Sequence, residues 1–181
     1  MTAVPRLRRA VLASVLALLT VTAQAIEAVS AEIATGNQSQ LLRLSAQFPP
    51  IYDFNIGKRS CILMSWAVDV AYWKLNRPPA GVDPADSLFD LGIAPVFRLT
   101  GRERAGWYLE AGIGLHVLSD LYRNNDRELS TSLQFLSRLG VGYAHQSGID
   151  VNLNVKHMSN GGFKLPNHGV NVIALRLMQR F

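Results

Sequence analysis

The sequence predicts an all-β fold, an eight-stranded antiparallel transmembrane β-barrel, on three observations. An arginine-flanked apolar leader opens the chain, two-residue alternation recurs through the remainder, and no apolar run after the leader reaches 18 residues. A helix needs about 20 consecutive apolar residues to cross a bilayer, whereas a barrel strand crosses with about 10 residues that alternate apolar outward and polar inward. The hydrophobic content of 49% is therefore distributed in a pattern that strands can use and spanning helices cannot.

In the leader, Arg6, Arg8 and Arg9 precede an apolar run from Ala10 to Ala23, and Ala23-Gln24-Ala25 offers small residues for cleavage. This predicts a secretory signal peptide over residues 1–25 and a single barrel domain over 26–181. Those three arginines account for most of the formal net charge of +5. The remaining basic residues are dispersed rather than interleaved with aromatics, which together with export argues against nucleic acid as a partner. One cysteine, Cys61, excludes an internal disulfide framework. Asn76 to Pro84, rich in Pro, Gly and Asp, reads as a loop, and nothing marks a second domain.

Each predicted strand has one apolar face. Val29, Ala31 and Ile33 share a face of the first segment, and Leu42, Leu44, Ala46 and Phe48 a face of the second. The third carries Ile62, Met64, Trp66, Val68, Val70 and Tyr72 opposite Leu63, Ser65, Ala67, Asp69 and Ala71. In the fourth, Phe89, Leu91, Ile93, Pro95 and Phe97 oppose Asp90, Gly92, Ala94, Val96 and Arg98. The fifth sets Trp107, Leu109, Ala111, Ile113, Leu115 and Val117 against Tyr108, Glu110, Gly112, Gly114 and His116. In the sixth, Leu133, Phe135, Leu139, Val141 and Tyr143 oppose Gln134, Arg138, Gly140 and Gly142, with Leu136 an apolar exception on the polar side. The seventh runs from Ile149 to Asn160 and the eighth from Val170 to Phe181.

A soluble sandwich would alternate too, but its polar face would be rich in Lys and Glu. Here that face is mostly Gly, Ala and Ser with isolated charges of both signs: Glu32, Asp69, Asp90, Glu110 and Asp150 against Arg43, Arg98, Arg138, Lys156 and Arg176. Such a mixture suits the interior of a small barrel, where eight strands leave room only for side chains and buried charges need partners. A conducting pore is thereby excluded.

The seventh segment departs from the pattern at its end. Its odd positions Ile149, Val151, Leu153 and Val155 are apolar, and the same parity turns His157 and Ser159 outward. Segment eight carries Ile173, Leu175 and Leu177 on the outward side, so Asn171 shares that surface, and a hairpin centred near Lys164 sets Asn171 opposite His157. Directly facing Cβ atoms lie about 5 Å apart. A His two residues from a Ser on one strand face has the types required for a general base and a nucleophile, with Asn171 orienting the other ring nitrogen. With both termini in the periplasm, the climb from Ile149 to Ser159 at about 3.3 Å per residue and a ~40° tilt is roughly 25 Å, the height of the apolar band. Ser159 then meets the outer-leaflet interface, where an ester belongs to a lipid.

The stretch His157-Met-Ser-Asn-Gly-Gly-Phe-Lys-Leu-Pro-Asn-His-Gly169 resembles the signature of the outer-membrane lipid A 3-O-deacylases, close to His-x-Ser-Asn-x-Gly-x-x-x-Pro-Asn-x-Gly. Glu110-Ala-Gly-Ile-Gly114 and Phe135-Leu-Ser-Arg-Leu-Gly-Val-Gly142 are similar to that family's fifth and sixth strands. The resemblance implies a carboxylic ester hydrolase of the bacterial outer membrane, needing no cofactor or metal, with lipid A or lipopolysaccharide as substrate. It implies Ser159 as nucleophile, His157 as base, Asn171 as third member, and Asn160 or Asn167 as an aid to the oxyanion. Two positions depart from the best-known members: Asn171 stands where they have Glu, which bears on rate, and Ser137 where they have an acidic residue, which bears on acyl selectivity.

Other signals carry less. Gly112-Ile-Gly114 lies inside a strand pattern with no helix after it, so it is no phosphate loop. His116 points inward as a packed residue, and His145 and His168 lie near separate turns, so no metal-ligand spacing emerges. A second copy of the chain remains a candidate partner. The competing reading is a non-catalytic small barrel with an adhesive or structural role, or a deacylase relative inactive through Asn171.

Overall fold

The computed structural model describes residues 26–76, 86–124 and 127–181; the segment expected to be a signal peptide and most of the Asn76–Pro84 loop lie outside them. The strands are β1 (Ala28–Gly36), β2 (Ser39–Gln47), β3 (Tyr52–Ile56), β4 (Ser60–Leu75), β5 (Ser87–Gly101), β6 (Gly106–Leu118), β7 (Leu133–Ala144), β8 (Ile149–Ser159) and β9 (Val170–Arg180). Neighbours pair antiparallel all round, and β1 closes the sheet by pairing with β9 from Ala28↔Arg180 to Thr35↔Ile173. The molecule is thus a closed antiparallel barrel of eight staves.

The ninth strand is an addition to the sequence expectation. It does not add a stave, because β2 and β3 share one partner: β2 pairs with Leu75 to Ala67 of β4, and β3 continues down the same strand from Met64 to Ser60. Between them lie Pro49 and Pro50, which have no N–H to give the ladder. The amides on either side, Phe48 and Ile51, still donate to Trp66 O and Met64 O at 2.9 and 2.8 Å, so the stave continues past the break.

Burial alternates along every stave, and outward residues are large and apolar: Ile33, Leu91, Leu139 and Leu177 are each more than half exposed. Water would make such a surface costly, at about 25 cal/mol per Å² of apolar area. A bilayer removes that cost. The connections after β4, β6 and β8 are long and those after β3, β5 and β7 short, the outside–periplasm asymmetry of bacterial barrels.

Inside, the ten charges expected to face inward are all there and buried, except that Arg98 and Arg138 keep slightly more accessibility than the rest. Glu110 receives both Arg176 nitrogens at 2.8 Å and Arg98 at 3.0 Å, and Arg98 also bonds Asp150 at 2.7 Å. Arg43 pairs with Asp90 at 2.7 Å, and Lys156 with Glu32. His116, as expected, is packed inside and bonded to Asp90 at 2.6 Å. It lies over Gly92, where a Cβ would come within 2.2 Å of the imidazole, so the neighbouring strand has to be bare there. Toward the long-loop end the filling changes from ionic to apolar. Trp73, Leu88, Tyr122, Leu129, Met158 and Val170 cluster there, and so does Leu136, which explains its inward apolar side chain.

Candidate functional site

His157, Ser159 and Asn171 lie where two strands and one hairpin loop meet at the outer end of the wall. In the β8 sequence Val155-Lys-His-Met-Ser159, Lys156 and Met158 are buried while Val155 and His157 are exposed and Ser159 is half-buried. The pleat therefore sends the cation and the thioether inward and the imidazole and hydroxyl outward. β9 begins at Val170, and the β8–β9 register pairs His157 with Asn171 directly. Their side chains meet: His157 Nδ1 and Asn171 Oδ1 are 2.7 Å apart. Since Oδ1 can only accept, this contact requires the ring proton on Nδ1 and leaves the Nε2 lone pair free to take a proton.

On the other flank, β7 pairs Ser137 with His157 and Phe135 with Ser159. Ser137 faces outward and its hydroxyl donates to His157 O at 3.4 Å. Thr35, Ser137, Leu139, Val155, His157, Asn171 and Ile173 edge a groove of about 550 Å³ on the lipid-facing wall. Leu139, Val155 and Ile173 give it apolar surface of the kind that contacts acyl chains, and Thr35, Ser137, His157 and Asn171 add polar groups.

The loop from Asn160 to Gly169 is ordered by its own asparagines, which the structure separates in role. Asn160 is buried, and its Nδ2 donates to Lys164 O at 2.7 Å and to Ser130 Oγ at 3.3 Å, while its Oδ1 accepts from Gly162 N at 2.9 Å. That side chain is fully occupied in holding the turn. Asn167 Oδ1 accepts from Asn160 N at 3.1 Å, which fixes the amide so that Nδ2 points away from the bond.

Sequence reasoning did not single out three further contributors. Gly169 (φ +66°) lies against the imidazole, where a Cβ would stand 2.6 Å from His157 Cε1. Arg127 donates to His168 O at 2.7 Å and Gly169 O at 3.1 Å. Ser130 Oγ donates to Lys164 O at 2.9 Å, and an isolated bridge joins Leu129 to Asn167. The β6–β7 connection is thus folded onto the site's loop. Only the glycine had a sequence signal, as the last position of the Pro-Asn-His-Gly169 motif; the other contacts span about 40 residues and leave no local pattern. Among the described residues no group of His, Cys, Asp and Glu could hold a metal ion.

Comparison with known proteins decides the family. The sequence model described as "Lipid A 3-O-deacylase (PagL)" matches residues 41–180. The chain belongs to the lipid A 3-O-deacylase family. Curated relatives agree: the lipid A deacylase PagL of Pseudomonas aeruginosa is 31% identical over 92% of each chain, and that of Bordetella bronchiseptica 29% identical over the same shares. The crystal structure of the outer membrane enzyme PagL superposes with a TM-score of 0.72 at 28% identity, covering 85% of this chain and 99% of that one. Neisserial surface protein A, at 18% identity and a TM-score of 0.50, shares the barrel fold. As a member of the deacylase family this protein is an ester hydrolase whose location is the bacterial outer membrane.

Proposed function

We propose that this protein removes the 3-hydroxyacyl chain ester-linked at position 3 of lipid A in the outer leaflet, by a Ser/His mechanism on the lipid-facing wall. The single observation that carries this reading is the 2.7 Å contact between His157 Nδ1 and Asn171 Oδ1, with Ser159 two residues along the same face. With Nδ1 occupied, Nε2 is the base that takes the Ser159 proton as Oγ attacks the ester carbonyl. Asn167 Nδ2 is the side-chain donor best disposed to the oxyanion, and Asn160 serves by clamping Asn167 through its backbone N–H. Collapse breaks the bond to the sugar oxygen, which leaves as an alcohol with the proton from His157. Water, deprotonated by His157, then cleaves the acyl-Ser159 ester and releases the 3-hydroxy acid. The chain lies in the groove beside Ser137, so that residue bears on which acyl groups are accepted.

The test is mass spectrometry of lipid A from cells expressing the protein. One hydroxyacyl mass should be lost with the wild-type chain and retained with Ser159→Ala or His157→Ala, each still showing heat-modifiable barrel migration on gels. An unchanged lipid A spectrum despite correctly inserted wild-type protein would favour the non-catalytic barrel.

A further inference from the structure

The β1–β9 ladder stops at Thr35↔Ile173. Two steps further along the same register Asn37 would face Asn171, but by then the β1 backbone has turned away: Asn37 and Gln38 have φ of 43° and 59° and form the β1–β2 turn. The Asn171 N–H would lose its sheet partner at the residue that holds His157. Instead it donates to the side-chain Oδ1 of Asn37 at 2.5 Å. A side chain thereby extends the ladder by one bond past the end of the strand.

Two other features seat this turn on Asn171. A Cβ at Gly36 would lie 2.2 Å from Asn171 O and 2.8 Å from Val172 Cα, so only glycine lets the turn approach so closely. From the buried side, Asn37 O accepts from Tyr122 Oη at 2.8 Å and from Asn124 Nδ2 at 2.7 Å. Burial pushes the Tyr122 phenol up, so it remains a donor across the physiological range. The turn is therefore gripped between the β6–β7 connection and the start of β9.

We propose that Asn37 is a positioning residue of the deacylase site, holding the Asn171 backbone so that its Oδ1 stays on His157 Nδ1. This rests on the Ser159, His157 and Asn171 assignment above. Asn37 touches no substrate; it acts through Asn171. An asparagine serves the turn because it tolerates left-handed φ, and glycine would serve that need equally well. What glycine lacks is the acceptor, and that difference separates positioning from turn formation.

The experiment compares Asn37→Gly, which keeps the turn and removes the acceptor, with Asn37→Asp, which keeps both. Barrels refolded in detergent are assayed on purified lipid A at equal folded amounts, judged by heat-modifiable migration. Asn37→Gly should lower kcat about fivefold, the rate equivalent of one net hydrogen bond, with KM near wild type, and Asn37→Asp should restore it. In an Asn171→Ala background Asn37→Gly should cost nothing further. The ring ¹⁵N shifts of His157 in labelled barrel give a reading independent of turnover: Asn37→Gly should reduce the Nδ1–H tautomer population. Wild-type kcat in Asn37→Gly, or losses that multiply with those of Asn171→Ala, would overturn the proposal. Were the wild-type barrel inactive, the deacylase reading would fall, and the ¹⁵N shifts would decide the positioning claim alone: unchanged shifts in Asn37→Gly would refute it.

Discussion

Asn171→Asp is the most informative single change at the site, because it alters charge and almost nothing else. The carboxylate is isosteric with the amide, so an oxygen stays at the 2.7 Å separation from His157 Nδ1. An amide can accept from Nδ1–H, yet its NH₂ could equally donate to a bare Nδ1 and select the wrong tautomer; a carboxylate cannot donate. It also stabilises the imidazolium that forms as Ser159 loses its proton. A hydrogen bond to a charged group is worth about 1.5–3 kcal/mol against about 1 for a neutral one. The gain in the transition state is thus about 0.5–2 kcal/mol, or roughly 2- to 30-fold in kcat at 1.36 kcal/mol per decade. Asn171→Ala, which removes the acceptor, should lose about 10-fold, a fraction of the whole general-base contribution of about 10²–10⁴ because the base itself remains. The assay is release of 3-hydroxy acid from purified lipid A in detergent at equal amounts of folded barrel. Wild-type turnover in Asn171→Ala, or a slower Asn171→Asp, would refute the orienting role.

Gly169→Ala should cost more than 10-fold in turnover, since the new methyl would stand 2.6 Å from His157 Cε1 at a φ of +66°; full activity would show that the ring can move without consequence. Glu110→Gln leaves Arg98 and Arg176 without their shared carboxylate inside the barrel. It should lower the unfolding free energy in urea titrations of reconstituted barrel by about 3–5 kcal/mol, and a change under 1 kcal/mol would mean the interior rearranges freely. EDTA should leave deacylation unchanged, and a loss restored by a divalent cation would contradict a metal-free mechanism. The protein should fractionate with outer membranes, and recovery as a soluble periplasmic species would contradict the barrel in the membrane.

The staves were legible because lipid and a filled interior impose opposite demands on alternate residues, and the charges from Glu32 to Arg176 follow that parity without exception. β3 escaped because Pro49-Pro50 reads as a stop, although Tyr52, Phe54 and Ile56 still alternate with Asp53 and Asn55. Its partner strand, and not its own pattern, makes it part of a stave. At the site, parity and hairpin arithmetic around Lys164 were enough to bring His157 and Asn171 together. Neither could reveal that Asn160 is spent on its own turn, because its partners Ser130 and Lys164 come from two different loops. Asn37 is the extreme case: its bond to Asn171 spans 134 residues and exists only once the first and last strands have met.

The change from ionic to apolar filling along the interior has a further consequence for a hydrolase. The proposed chemistry consumes one water per acyl chain at a serine that faces outward, and among the described residues the interior beside it is packed with side chains. Below lie the interlocked ion pairs around Glu110 and Asp90, and above them the stopper of Trp73, Leu88, Leu129 and Leu136. For the proposed mechanism this favours a route for hydrolytic water from the headgroup layer past the hairpin of Asn160 to Gly169, with the freed acid leaving sideways into the leaflet. On that reading a lipid A deacylase works at its wall without opening a conduit through the permeability barrier in which it sits.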